Sequence, residues 1–322
     1  MANITFIIGN GLDIAFDLNT EYRDFYSYVE RMSLHSDNRI YKAIQGSPDS
    51  WADFELALGQ YTRYIDKLAD KEKKKESIAL HEELEEIRDD LAEYIADQAD
   101  KHFISDSSRV TIDGFYSELV YGQKDKITSI LRRTTNQFDF ITLNYTNTLE
   151  RVVTNSQASL SNNGIIRGPI LHIHGDLSEN MTLGVSNESQ LSESMSGAEK
   201  DDLIKPSLIY SMNDGRIEVM ENMLRASSVV VLFGTSMGET DEYIWEKLVD
   251  WLKQSPDRYV IIHQYDEAYS DNVKRSSRKQ KIFTNSVRDK LLLHAGVDGD
   301  VMEVLRGRIF VIFNSKNVFK IS

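Results

Sequence analysis

Ile4-Thr5-Phe6-Ile7-Ile8-Gly9-Asn10-Gly11-Leu12-Asp13 is the stretch from which the fold of this chain is read. A short apolar run passes into Gly-Asn-Gly and then directly into an amphipathic segment. That pattern predicts a buried parallel strand, a tight glycine turn and a helix N-terminus. Such a turn lets backbone N–H groups approach a phosphate, which the helix dipole also favours. Gly9, Asn10 and Gly11 are therefore candidate nucleotide-binding residues. The run lacks the third glycine of the usual dinucleotide fingerprint and the lysine of a P-loop, so its meaning depends on distant segments.

Strand signals recur at Phe138–Leu143, Ile170–His174, Val229–Phe233, Tyr259–His263 and Arg308–Phe313. Short apolar runs rich in β-branched residues, separated by helical patterns, predict an α/β fold: a Rossmann-like, mostly parallel sheet covered by helices. Between the first two strands, Ile14–Met32 spaces Phe16, Tyr22, Phe25, Tyr26 and Tyr28 as a helical core face. Ser50 and Asp53 have the spacing of a capping box before a helix running to Gly59. Tyr61–His102 is rich in Lys, Glu, Asp and Ala with spaced leucines, a solvated helix or helical hairpin. The predicted division is thus a core of residues 1–13 and 136–322 with a large helical insertion at 14–135. Ser186–Asp202 reads as a mobile surface loop.

The 322 residues suffice for one substantial core, and 41% hydrophobic with 27% charged residues is ordinary for a globular protein. A formal net charge of −14 argues against broad nucleic-acid binding, whose phosphates it would repel. With no cysteine, thiolate nucleophiles, disulfides and cysteine-ligated zinc are excluded. The start carries no cationic, apolar leader, and no apolar run approaches the ~20 residues of a membrane span. A cytoplasmic protein without membrane attachment is expected.

Each of four strand ends carries a polar, mostly glycine-bearing cluster: Gly9–Asp13, Asn144–Asn147, His174-Gly175-Asp176 and Gly234–Asp241. In a doubly wound sheet, ligands bind beyond the carboxyl ends of the strands. The joint pattern of Ile8–Ala15 with Tyr22 and Phe25, Leu143–Thr146, His172–Gly175, Gly184-Val185 and Gly234–Asp241 resembles the AbiH family of bacteriophage abortive-infection proteins. More remotely, the order of motifs is similar to the sirtuin-type NAD-binding fold used in antiphage defence. That likeness implies a phosphate turn at Gly9 and Gly11, a reactive pair in Asn144 and His174, and a distal nucleotide loop at Gly234 and Ser236. Tyr145 joins these as a neighbour of the reactive asparagine. Thr146 stands where sirtuin deacylases usually carry an acid, and no four-cysteine zinc module exists, so deacylation is disfavoured. The resemblance implies NAD as ligand or substrate, cleaved at the nicotinamide–ribose bond, with no metal.

For that chemistry Asn144 would orient water or the amide, and His174 would act as general base toward a ribose hydroxyl. Asp13 and Asp241 are the candidate carboxylates; Asp13, beside the phosphate turn, suits a ribose hydroxyl or a helix cap. An enzyme that destroys NAD must be restrained in a healthy cell, which implies a homo-oligomer or a phage-derived or host trigger. The alternative is a nucleotide-binding sensor without catalysis. Local readings compete at several positions: Asn144 as an N-cap, Asn10 at positive φ, and His172 as a structural residue sharing a sheet face with His174. His35, His81, His102, His263 and His294 have no motif, and Met237 and the tryptophans read as core.

Overall fold

Strand β1 (Ala2–Ile8) is buried along nearly its whole length, which is why its apolar run is unbroken rather than alternating. Ile4, Phe6 and Ile8 enter the core on one face of the sheet and Ile7 the core on the other. The computed structural model describes residues 2–32, 34, 37–45, 54–101, 110–132 and 135–321. The Ser50–Asp53 capping box, Trp51, His35 and His102 lie outside the described residues.

After β1 come α1 (Gly11–Ala15), α2 (Tyr22–Met32), α3 (Arg39–Gln45), α4 (Phe54–Ile65) and α5 (Asp70–Lys101), then β2 (Val110–Thr111) and α6 (Tyr121–Leu131). Next are β3 (Asn136–Thr142), α7 (Thr148–Asn162), β4 (Ile165–His172), α8 (Gly197–Asp201), α9 (Lys205–Ser211), α10 (Arg216–Ala226) and β5 (Ser227–Phe233). The chain continues through α11 (Glu242–Lys253), β6 (Tyr259–Gln264), α12 (Asp271–Lys274), α13 (Ser277–His294), α14 (Gly299–Arg306), β7 (Ile309–Phe313) and β8 (Lys320–Ile321).

Six strands form one sheet in the order β4-β3-β1-β5-β6-β7, and every pairing in it is parallel. The chain builds outward from β1 to β4, then returns to β5 on the other side and builds outward again. This is the doubly wound, Rossmann-like order, and its switch point lies between β1 and β5. One face is covered by α10, α11, α13 and α14, through Met220, Trp245, Leu248, Leu292 and Leu305. The other packs Phe6 against Phe115, Phe138 and Phe140, with ring centroids 5.5, 5.1 and 5.3 Å apart, beneath α6 and α7.

Residues 14–135 divide between two cores. Helices α2 to α5 supply Phe25, Leu58, Leu84 and Ile87 to a third cluster. Val110, Ile112, Phe115 and Ile127 pack instead on the sheet, and β2 pairs antiparallel with β8. The expected helix over Ile14–Met32 is broken: Asp17 adopts φ 63°, a conformation Asp tolerates, and Phe16 turns into the sheet core. Ser186–Asp202 is not a mobile surface loop. Leu191 and Met195 are buried in the third cluster, and capping boxes at Asn187/Gln190 and Ser196/Glu199 order the backbone. The strand expected at Ile170–His174 starts at Ile165 and ends at His172, admitting Pro169 because β4 is an edge strand. Among the described residues no helix is long and apolar enough to cross a membrane.

The turns after β1 and β5 touch backbone to backbone. A Cβ at Gly11 would lie 2.5 Å from Gly234 Cα, and Gly234 itself holds φ +67°. Gly11→Ala is expected to lower stability by about 1–3 kcal/mol, the range for overpacking. Gly122→Ala in α6, where the added methyl meets open space, should be neutral or slightly stabilising; urea unfolding of both variants beside the wild type checks the contrast.

Candidate active site at the β1/β5 switch point

A cleft of about 1090 Å³ opens at the carboxyl ends of the strands. Gly9, Asn10, Gly11 and Asp13 reach it from the β1–α1 turn, Asn144 and Tyr145 from the β3–α7 loop, and His174 from beyond β4. Gly234, Ser236 and Asp241 reach it from the segment after β5. The fold therefore gathers every residue that the sequence singles out for binding or chemistry.

Their local roles differ from the simplest expectation. Gly9 N–H donates to Phe233 O at 2.9 Å and Gly11 N–H to Gly234 O at 2.8 Å, so these two donors join the turns rather than face the cleft. Asn10 is right-handed, at φ −58°, and not at positive φ. Its side chain binds Thr20 through the hydroxyl at 2.6 Å and the carbonyl at 3.1 Å. Asn144 does not cap α7, whose N-cap is Asn147; its Nδ2 donates to Gly9 O at 3.2 Å. The buried Asp13 carboxylate accepts from Thr146 Oγ1 at 2.8 and 2.9 Å. Burial raises its pKa, against the hydrogen bonds from Thr148, Thr146 and Asn144. Thr146 and Asn144 thus tie the β3–α7 loop to α1 and β1.

The two histidines part company where β4 ends. His172 binds Glu150 Oε1 at 2.7 Å, a structural pair with α7. Beyond it Gly175, at φ 78°, turns the chain. His174 is buried, with Nε2 3.1 Å from Tyr243 Oη and 3.2 Å from Asp241 Oδ1, and Nδ1 3.4 Å from Leu143 O. Burial and the neighbouring Lys205 cation lower its pKa, so the ring is neutral at pH 7.

Lys205, 1% exposed, holds this corner together. Its Nζ donates to Asp241 Oδ1 at 2.8 Å and to Glu55 Oε2 at 2.6 Å. Glu55 comes from α4 and also accepts from Gly184 N at 3.1 Å. Two carboxylates raise the pKa of Lys205 despite its burial. Asp241 is driven well below the carboxylate range: burial opposes ionisation, but Lys205 and His174 outweigh it. Glu55 is pushed up to about 7 by burial, against the pull of Lys205.

Sequence reasoning missed Glu55, Lys205 and Tyr243. Lys205 does carry a signal, since a cation in the first turn of a helix opposes the macrodipole and calls for a compensating partner. His263, expected to be incidental, lines the cleft and binds Phe115 O through Nε2 at 2.9 Å. Burial lowers its pKa to about 4. Met237, Trp245 and Trp251 are buried in the core as expected. Among the described residues no group of three or more His, Asp or Glu is placed to hold a metal ion.

The sequence matches the family model described as Bacteriophage abortive infection AbiH over residues 5–263. The chain belongs to the AbiH family. Membership gives it a role in phage abortive infection. No curated protein matches the sequence. In this AbiH protein the matched span runs from β1 into β6 and contains the four strand-end clusters singled out in the sequence, together with Glu55 and Lys205.

The titration of Glu55 has a measurable consequence. Its ordinary pKa is 4.5; in the folded protein burial raises it to about 7. Between those values the folded state holds the additional proton, so the stability contributed by Glu55 falls as pH rises. Measured against Glu55→Gln by urea unfolding, the wild type should lose stability as the pH rises from 4.5 to 7. Parallel stability profiles for the two proteins would contradict this reading.

Proposed function

We propose that this AbiH protein binds NAD in the switch-point cleft and hydrolyses its nicotinamide–ribose bond in the cytoplasm once infection is sensed. The convergence of all four strand-end segments on one cleft carries the reading. Its volume of about 1090 Å³ stands at the upper end of ligand pockets, ~300–1,000 Å³, and suits an extended dinucleotide. The order of the motifs, similar to that of sirtuin-type NAD-binding proteins, supports the same ligand.

In the proposed reaction the oxygen of water bonds to the ribose C1′ as the C1′–N bond breaks. The bonding pair returns to the pyridinium nitrogen, which leaves as neutral nicotinamide, and one proton is released. Positive charge builds on the ribose along this path, and a fixed negative potential stabilises it. Asp241, held ionised beside the neutral His174, supplies that potential. Asn144, anchored to Gly9 O, orients the nicotinamide amide or the water. His174 takes a proton from a ribose hydroxyl as the bond breaks, and Asp241 stabilises the imidazolium. A proton of the attacking water restores that hydroxyl, and the proton on His174 is the one released. Restraint before infection falls to a homo-oligomer or to a phage-derived or host trigger.

One observation favours a second reading, a nucleotide-binding sensor without catalysis. Both ring nitrogens of His174 already face protein atoms, Leu143 O on one side and Tyr243 with Asp241 on the other. Purified protein, alone and with infected-cell lysate, is expected to consume NAD. Asn144→Ala and His174→Ala should each lower the rate by about 10²-fold or more, the scale of a lost acid–base group. Calorimetric NAD binding without consumption in any condition would establish the sensor reading, and absence of binding would overturn both.

A further inference from the structure

We propose that Lys205 is the positioning residue of this cleft: held on one side by Glu55 of α4, its ammonium fixes Asp241 Oδ1 against His174 Nε2, so that the inserted helices complete a site otherwise built from strand ends. The inference rests on the reading that His174 is functional, and its test requires no substrate.

The geometry is specific. A single oxygen, Asp241 Oδ1, lies 2.8 Å from Lys205 Nζ and 3.2 Å from His174 Nε2. The other side of the ammonium is taken by Glu55 Oε2 at 2.6 Å. Lys205 is therefore a fixed cation and not a nucleophile, because amine chemistry needs the neutral form, which both carboxylates disfavour. A buried ammonium left with one partner is costly, so the position of α4 and the position of Asp241 are set together. Glu55 is itself anchored to the chain that follows His174, by Gly184 N at 3.1 Å.

The groups facing His174 come from several elements. Asp241 and Tyr243 come from the start of α11, Lys205 from α9 and Glu55, through Lys205, from α4. Tyr145, on the β3–α7 loop, feels the same charges. Arg216 of α10 donates to Ile173 O at 3.2 Å, beside the ring. Of these, only Lys205 is a cation in contact with the oxygen that His174 uses. Its removal lifts the cation's direct pressure on the imidazole, the larger of the two charge effects on the ring, and releases Asp241 from its fixed place beside it.

The test is a histidine-labelled NMR titration of the full chain, with His174 assigned through His174→Gln. In the wild type the midpoint should lie below pH 6.5. In Lys205→Met the midpoint is expected to rise by about one pH unit or more, a tenfold change in proton affinity. Asp241→Asn should lower the midpoint in the wild type but change it little in Lys205→Met, because without the ammonium the carboxylate is no longer held against His174. Should Lys205→Met fail to fold, Lys205→Met with Glu55→Leu removes the stranded carboxylate and is expected to show the same rise. An unchanged midpoint in either folded variant overturns the proposal, as does a fall of equal size on Asp241→Asn in both backgrounds, since Asp241 would then keep its place without Lys205. NAD binding, measured by calorimetry on the same samples, reports separately on the proposed function: loss of NAD binding in the wild type would sink that function while leaving the titration result standing.

Discussion

An ammonium group cannot be buried alone, and Lys205 is the point at which that constraint organises the molecule. Moving an unpaired charge out of water costs several kcal/mol, and removing one partner of a buried pair typically costs about 3–5 kcal/mol. Lys205 meets the constraint with Asp241 from the segment after β5 and Glu55 from α4. Two parts of the chain far apart in sequence are thereby required to meet at one atom.

The apolar packing around that atom has the same division of labour. The third hydrophobic cluster combines α2 to α5 with Tyr145, Leu183, Val185, Leu203 and Ile204, so the insertion is not an independent body resting on the sheet. Polar contacts fasten the same seam: Thr62 Oγ1 accepts from Ser192 N at 2.9 Å, and Tyr145 Oη donates to Thr182 O at 2.8 Å. The cleft lies where this seam meets the carboxyl ends of β1 and β5. Its floor is set by glycines, since Gly11 and Gly234 approach more closely than any side chain would allow.

Two kinds of charge act in this protein. The formal net charge of −14 is diffuse and screened by salt beyond ~10 Å; it governs which large partners can approach. The charges of Lys205 and Asp241, with Glu55 and the neutral His174 beside them, are buried and fixed, and screened far less. They set the potential inside one end of the cleft. A ligand in the cleft therefore meets these local charges rather than the net charge of the protein.

The sequence by itself determined the strands, their parallel arrangement and the clusters at their ends. Unbroken apolar runs such as Ile4–Ile8 and Val229–Phe233 must be buried on both faces, and glycine-bearing ends such as Gly9-Asn10-Gly11 and Gly234 must turn tightly; both are local facts, legible along the chain. The family resemblance was legible for the same reason, since its motifs are short and contiguous. Local reading failed at Asp17, which breaks a helix that amphipathic spacing favours, and at Ser186–Asp202, whose polar composition hides buried Leu191 and Met195. Only the tertiary structure decided that Glu55, Lys205 and Asp241 share one ammonium, that Asp13 is bound by Thr146, and that His172 and His174 serve different partners. The reason is physical: the cost of burying a charge is settled by which residues approach it in space, and Glu55 and Lys205 are 150 positions apart in the chain.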